Sequence, residues 1–151
     1  MTVEMTADDI QKVYAEGLTL QNAGQFDAAI QVYARLIDAN PKIAEAHFQI
    51  GRCLTSINKF ELALRHLREA VRLRPKEAAV WMAWSDAVAL GGEPSDEAEI
   101  VRVLKSAPVD QKLKIVLQDR YGAHRTNTRP RLGGANKTEI GKLVTMVGLG
   151  R

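Results

Sequence analysis

The 151-residue sequence predicts an all-α fold, an α-α superhelix of stacked helix–turn–helix units closed by a C-terminal capping helix. Three features carry that expectation. The chain repeats itself: Gly17 and Gly51, Leu20 and Leu54, Phe26 and Phe60, Ala29 and Ala63, and Pro41 and Pro75 are each separated by one and the same interval, in one order. A period of that length marks a small unit that buries its apolar face only by stacking on copies of itself. Hydrophobic residues make up 46% of the chain but aromatics only 5%, so the core is aliphatic and alanine. Such small side chains suit closely approaching helices better than sheets. Within each unit, apolar residues recur at three and four, which is one stripe of a helix.

The elements follow in order. Thr6-Ala7-Asp8-Asp9 has the pattern of an N-cap before a first helix over about residues 8–22, whose stripe is Val13, Gly17 and Leu20. Gly24-Gln25 is a turn, and Ala29, Tyr33, Leu36 and Ile37 stripe a second helix. Asn40-Pro41 ends it, because a residue before proline is pushed out of the α region. The second unit repeats this with a first helix over 44–56 and Asn58 in place of the turn glycine. The third has its first helix at 78–90 and keeps Trp81, one full period after His47, and Gly92. It departs at Ser85 and Pro94, and its second half reads as displaced by one position, Ala98 falling just beyond a full period after Ala63. The units are expected at about 10–43, 44–77 and 78–107. Gly17 with Ala29, Gly51 with Ala63 and, approximately, Ser85 with Ala98 are expected where the two helices of a unit cross.

A capping helix over 109–120 completes a domain of residues 7–120. Asp110 caps it, Leu113, Val116 and Leu117 form its stripe, and Arg120 complements the dipole at its C-terminal end. Residues 121–136 are rich in Gly, Arg and Thr and read as a flexible basic linker. Residues 137–151 regain a stripe in Ile140, Leu143, Val144 and Val147 and read as the start of a further unit. The chain is therefore expected to be an excerpt of a longer protein.

Charge and motif content exclude several functions. Residues 1–120 hold 15 Lys and Arg against 17 Asp and Glu, and residues 121–151 hold 6 against Glu139 alone, so the basic character belongs to the tail. A uniformly basic nucleic-acid-binding domain is not encoded. Arg65, Arg68 and Arg72 form a ridge, but Glu61 and Glu69 interleave with it, as on a solvated face. The single Cys53 excludes an internal disulfide and falls among small buried positions, so an inert thiol is expected. His47, His66 and His124 have no second ligand at metal spacing, so no metal and no cofactor are expected. The carboxylate pairs Asp8-Asp9 and Asp96-Glu97 sit at helix starts, where the dipole favours them. No phosphate-cradling or nucleophile-elbow motif is present, so no enzyme activity is expected. The apolar stretch Ala78 to Leu90 is broken by Ser85 and Asp86, and no signal peptide opens the chain. A cytoplasmic protein without membrane contact is the expectation.

The Gly…Leu…Gly-x-Phe…Ala…Tyr…Pro order at this period resembles the tetratricopeptide repeat family over about 100 residues. The first copy carries Gly17, Leu20, Gly24, Phe26, Ala29, Tyr33 and Pro41; the second carries Gly51, Leu54, Phe60, Ala63, Ala70 and Pro75. The resemblance implies a non-catalytic protein-interaction module, with the first helix of each copy lining a concave groove. Beside the buried stripes, the groove-facing residues would be Gln11, Tyr14, Leu18 and Gln21; Glu45, Phe48, Arg52 and Thr55; and Met82 and Asp86. Tyr14, Phe48 and Met82 would form an apolar ladder, with Arg52 and Asp86 offering opposite charges beyond it. The partner implied is a peptide or protein segment. Where some family members grip a terminal carboxylate with Lys, Asn and Arg, this chain has Tyr14, Leu18, Gln49, Ala79 and Ala83, so that ligand is disfavoured. Three-copy chaperones of bacterial secretion systems have similar size and an apolar groove, but they tend to be acidic and lack an arginine-rich tail with a further half-repeat, so that reading is disfavoured. The alternative is the N-terminal region of a larger bacterial enzyme, such as a sulfotransferase or glycosyltransferase carrying these repeats.

Overall fold

The computed structural model describes residues 4–122, and these form seven α-helices and no strand. They are α1 (Ala7–Asn22), α2 (Phe26–Ala39), α3 (Ala44–Ser56), α4 (Phe60–Leu73), α5 (Ala78–Gly91), α6 (Pro94–Ser106) and α7 (Gln111–Gly122). The expected linker from residue 123 onward and the expected helix over 137–151 lie outside the described residues.

Local chemistry sets the helix ends. Thr6 and Asp9 form a reciprocal cap: the Thr6 hydroxyl accepts from Asp9 N at 3.2 Å, and Asp9 accepts from Thr6 N at 3.1 Å. The first two turns both need a left-handed residue, supplied by Gly24 (φ 76°) and Asn58 (φ 61°). Asparagine tolerates that region because its side chain bonds locally. At α7, the Asp110 carboxylate accepts from Lys112 N at 3.1 Å.

Each of the first two copies folds by inserting one large side chain against a glycine. A methyl group on Gly17 would collide with the Tyr33 ring, and one on Gly51 would lie 2.5 Å from Leu67 Cγ. The glycine partner is thus the residue four after the small alanine, although Ala29 and Ala63 are fully buried as well. Phe60 closes against Gly91 of the next copy, where any side chain would strike its ring.

The third copy differs from its expected register. α6 starts at Pro94, one full period after Phe60, so the second helix is not displaced. Ile100 and Leu104 are buried while Ala98 is exposed, and Glu97 occupies the place of Ala63. Ala98 therefore does not sit at the crossing with Ser85. Ser85 is fully buried and meets α7 instead: its hydroxyl lies 2.7 Å from Tyr121 Oη, and Tyr121 donates to the Ser85 carbonyl at 2.8 Å. Tyr121, expected at the start of the linker, is a buried residue of α7.

Candidate peptide-binding groove

The residues expected to face a groove stand beside the buried stripes of the first helices, because each period of the repeat returns the helix to the same orientation. Val13 and Gly17 bury one side of α1, and Tyr14, Leu18 and Gln21 are half-buried next to them. On α3 the corresponding residues are Glu45, Phe48, Arg52 and Thr55, and on α5 they are Met82 and Asp86.

Two places gather these residues. At the first, the Tyr14 hydroxyl donates to Glu45 Oε1 at 2.8 Å. Gln49 donates to Tyr14 Oη at 2.9 Å and to Glu45 Oε1 at 3.0 Å. Burial raises the Tyr14 pKa, with the Glu45 hydrogen bond adding to it. This network ties α1 to α3 through a buried Gln49 that the sequence reading weighed only as a non-match to the carboxylate grip.

The second place is a hollow of about 550 Å³ spanning α1, α3 and α5. That volume is in the range of ligand-binding clefts. Gln21, Arg52, Thr55 and Asp86 line it, so four of the ten expected residues share one cavity. Tyr33 donates to Gln21 Oε1 at 2.9 Å, and Thr55 turns its hydroxyl to the Gly51 carbonyl at 2.8 Å. Arg52 lies over the Phe48 ring, 5.5 Å from its centroid, and donates to Gln49 Oε1 at 3.4 Å.

Tyr14, Phe48 and Met82 are half-buried and pack against the core. They are neither a bare ladder nor full core. Gln11 is exposed, and neither it nor Leu18 lines the hollow.

Several lining residues escaped the sequence reading. Asn22, Ser56 and Leu90 also line the hollow and are themselves one period apart, next to the row of Gln21 and Thr55. Phe26 joins from the start of α2, outside the first helices altogether. Arg120 of α7 donates to Asp86 Oδ1 at 2.8 Å and to Ser85 Oγ at 2.7 Å. Its signal was in the sequence, since Arg120 lies one period after Asp86. Val116 likewise lies one period after Met82 and is 51% exposed. The capping helix thus has the place of a fourth first helix.

The opposite face is charge-compensated. Arg65 pairs with Glu61 at 3.1 Å, Arg72 pairs with Glu69, and Arg68 reaches Asp96 at 2.5 Å and Glu99 at 2.7 Å. A second cavity of about 450 Å³ lies under this ridge, floored by Trp81 and Trp84. Cys53 is fully buried, and burial pushes its pKa up to about 11, which disfavours a reactive thiolate. Among the described residues no group of three or more His, Cys, Asp or Glu could hold a metal ion. No helix among them is long and apolar enough to cross a membrane.

Repeated helix pairs of this length, crossing at small residues and leaving one row of helices over a hollow, define a helical-repeat protein. The tetratricopeptide repeat profile matches residues 14–78 and 56–110, and the chain belongs to that family. Among curated proteins it is similar to the BBSome complex member BBS4 homolog of Drosophila melanogaster, 38% identical over 61 residues. That match covers 40% of this chain and 13% of the relative's length. Among solved structures it is similar to the type III secretion translocator chaperone SycD of Yersinia enterocolitica, with a TM-score of 0.59 and 17% identity. That alignment covers 97% of this chain and 83% of the other. PcrH, solved with the chaperone-binding region of PopD, aligns with a TM-score of 0.58 and 19% identity over 82% of this chain and 93% of its own. The TPR2AB domain of yeast Sti1, in a complex with pHSP90, aligns with 0.59 and 13% over 80% and 44%. At these identities the likeness to solved structures is one of fold.

Proposed function

We propose that this chain is a non-catalytic interaction module that holds a peptide or protein segment against α1, α3 and α5. The observation that carries this reading is the hollow, which takes residues from three successive first helices and mixes polar with apolar walls. In support, SycD has been solved with a peptide of the translocator YopD, and PcrH with a region of PopD. The alternative, a repeat region serving a sulfotransferase or glycosyltransferase, gains no support from these relatives. On this reading Tyr14, Phe48 and Met82 supply apolar contact along the helices, and Gln21, Arg52, Thr55 and Asp86 supply polar contact in the hollow. Gln11, Leu18 and Glu45 flank the path.

The test is a random peptide library displayed against the whole chain, with selected peptides titrated into the isotope-labelled protein. Backbone amide shifts concentrated on α1, α3 and α5 are expected. Shifts concentrated on α2, α4 and α6 would overturn the proposal.

A further inference from the structure

The row that begins at Leu18 continues through Arg52 and Asp86 to Arg120, each one period after the last. The helices α1, α3, α5 and α7 therefore present, at one register, an apolar group, a cation, an anion and a cation. The charges do not cancel evenly. Asp86 is taken by Arg120 at 2.8 Å, and Arg120 is held from a second side by Ser85 Oγ at 2.7 Å. Arg52 has neutral neighbours: the Gln49 amide oxygen at 3.4 Å and the Phe48 ring at 5.5 Å from centroid. Among the described residues no carboxylate comes within ion-pair distance of it, whereas Arg65, Arg68 and Arg72 on the opposite face each meet one. An arginine stacked on an aromatic ring is oriented in advance, so an incoming anion orders it at smaller entropic cost. Beside it, Phe26, Ala83 and Leu90 give the same hollow an apolar wall.

We infer that the segment bound in this groove is acidic at one position, placing an Asp or Glu side chain against Arg52 and an adjacent apolar side chain against Phe26 and Leu90. The inference rests on the groove being the binding face. Arg120 acts at one remove. By neutralising Asp86 it leaves Arg52 as the net charge of the hollow, and so sets the preference for an anion.

Peptides selected against the whole chain, and mapped by amide shifts to α1, α3 and α5, are synthesised with Glu, Gln or Lys at their acidic position. The Glu form should bind about two- to fivefold more tightly than the Gln form, which is the range of a partly exposed ion pair, and the Lys form most weakly. The margin should narrow at high salt. Arg52→Gln should remove the difference between the Glu and Gln forms. Asp86→Asn should widen it. Arg120→Gln should shrink it, because the freed Asp86 carboxylate faces the same hollow. Arg52 and Asp86 are exposed, so their variants keep the fold, and a thermal melt checks that. Arg120 also holds the buried Ser85 hydroxyl, so Arg120→Gln should lower the melting temperature, and adding Asp86→Asn to it should restore the margin between the Glu and Gln forms if the effect is one of charge. Selected peptides that lack an acidic residue, or equal affinities of the Glu and Gln forms, would overturn the inference and leave the proposed function standing. Peptides mapping to the other face, or no peptides at all, would overturn both.

Discussion

The first two copies and the third solve the same packing problem by different means. In α1–α4 the solution lies inside each copy. Tyr33 enters against Gly17 and Leu67 against Gly51, and a left-handed Gly24 or Asn58 turns the chain between the two helices. In the third copy the small position carries Ser85, whose hydroxyl must be satisfied once buried. The partner does not come from α6. It comes from α7, through Tyr121 and Arg120. The turn changes as well: Gly92 has φ −80°, and α6 starts instead with Pro94 at its first turn and Asp96 accepting from Glu93 N at 2.7 Å. Where the repeat motif is complete, a copy closes on itself. Where it decays, closure passes to the next helix.

The largest effect that tests this contrast is a pair of truncations at equivalent positions. Leu67 is fully buried against Gly51, whereas Val101, its counterpart one period on, is half-buried. Leu67→Ala should lower unfolding stability by about 3 kcal/mol, and Val101→Ala by roughly 1 kcal/mol or less. Denaturant melts of the two variants measure both. Equal losses would mean that α6 packs on α5 as tightly as α4 on α3, and the contrast between the copies would fail.

A smaller effect comes from enlarging the two alanines. Ala63 has no exposed surface, so Ala63→Trp should overpack the α3–α4 crossing and cost about 1–3 kcal/mol. Ala98 is exposed, so Ala98→Trp should change stability by no more than about 0.5 kcal/mol. A large loss at Ala98 would restore the displacement by one position that the sequence suggests and the structure rejects.

That displacement shows what the sequence could and could not reveal. Five matched residue pairs fixed the period, and with it the helices of the first two copies and the equivalence of Asn58 with Gly24; the Thr6 cap was legible separately, from the Thr-Ala-Asp-Asp pattern. The third copy misled because its positions persist while its residue types change: Pro94 stands where Phe60 stood, and Glu97 where Ala63 stood. Matching by identity then drifts to the nearest alanine, which is Ala98. Tyr121 reads as tail because the neighbouring glycine and arginines dominate the local composition, and its bond to Ser85 spans 36 residues. In the groove, choosing residues only from the first helices captured Arg52 and Asp86. It left out Phe26, which reaches the hollow from α2, and Arg120, which required following the period one helix further.

The smallest effect concerns a pair of facing positions whose residues differ in all three copies. Val13 and Val32 in the first copy, His47 and His66 in the second, and Trp81 and Ile100 in the third occupy equivalent places, one period apart. Trp81 donates its indole N–H to the Pro75 carbonyl at 2.9 Å, and His47 Nε2 lies 2.9 Å from the equivalent carbonyl, that of Pro41. A carbonyl only accepts, so His47 carries its hydrogen on Nε2. His47 Nδ1 and His66 Nδ1 lie 3.1 Å apart, so only one of the two nitrogens can carry a hydrogen between them. Burial lowers the pKa of His66 from its usual 6.5, and the neighbouring His47 lowers it further. The unfolded chain therefore binds a proton at His66 more readily than the folded one. Stability should hold above the unfolded value and fall as pH drops from there towards the folded value. Urea melts at about pH 7.5 and about pH 5.5 bracket the range in which histidine titrates while most carboxylates stay ionised. The parent chain should lose stability between the two. The double variant His47→Trp with His66→Ile, which copies the third repeat, should lose markedly less. Equal losses in the two proteins would place the acid sensitivity elsewhere and remove the second copy's imidazole pair as its source.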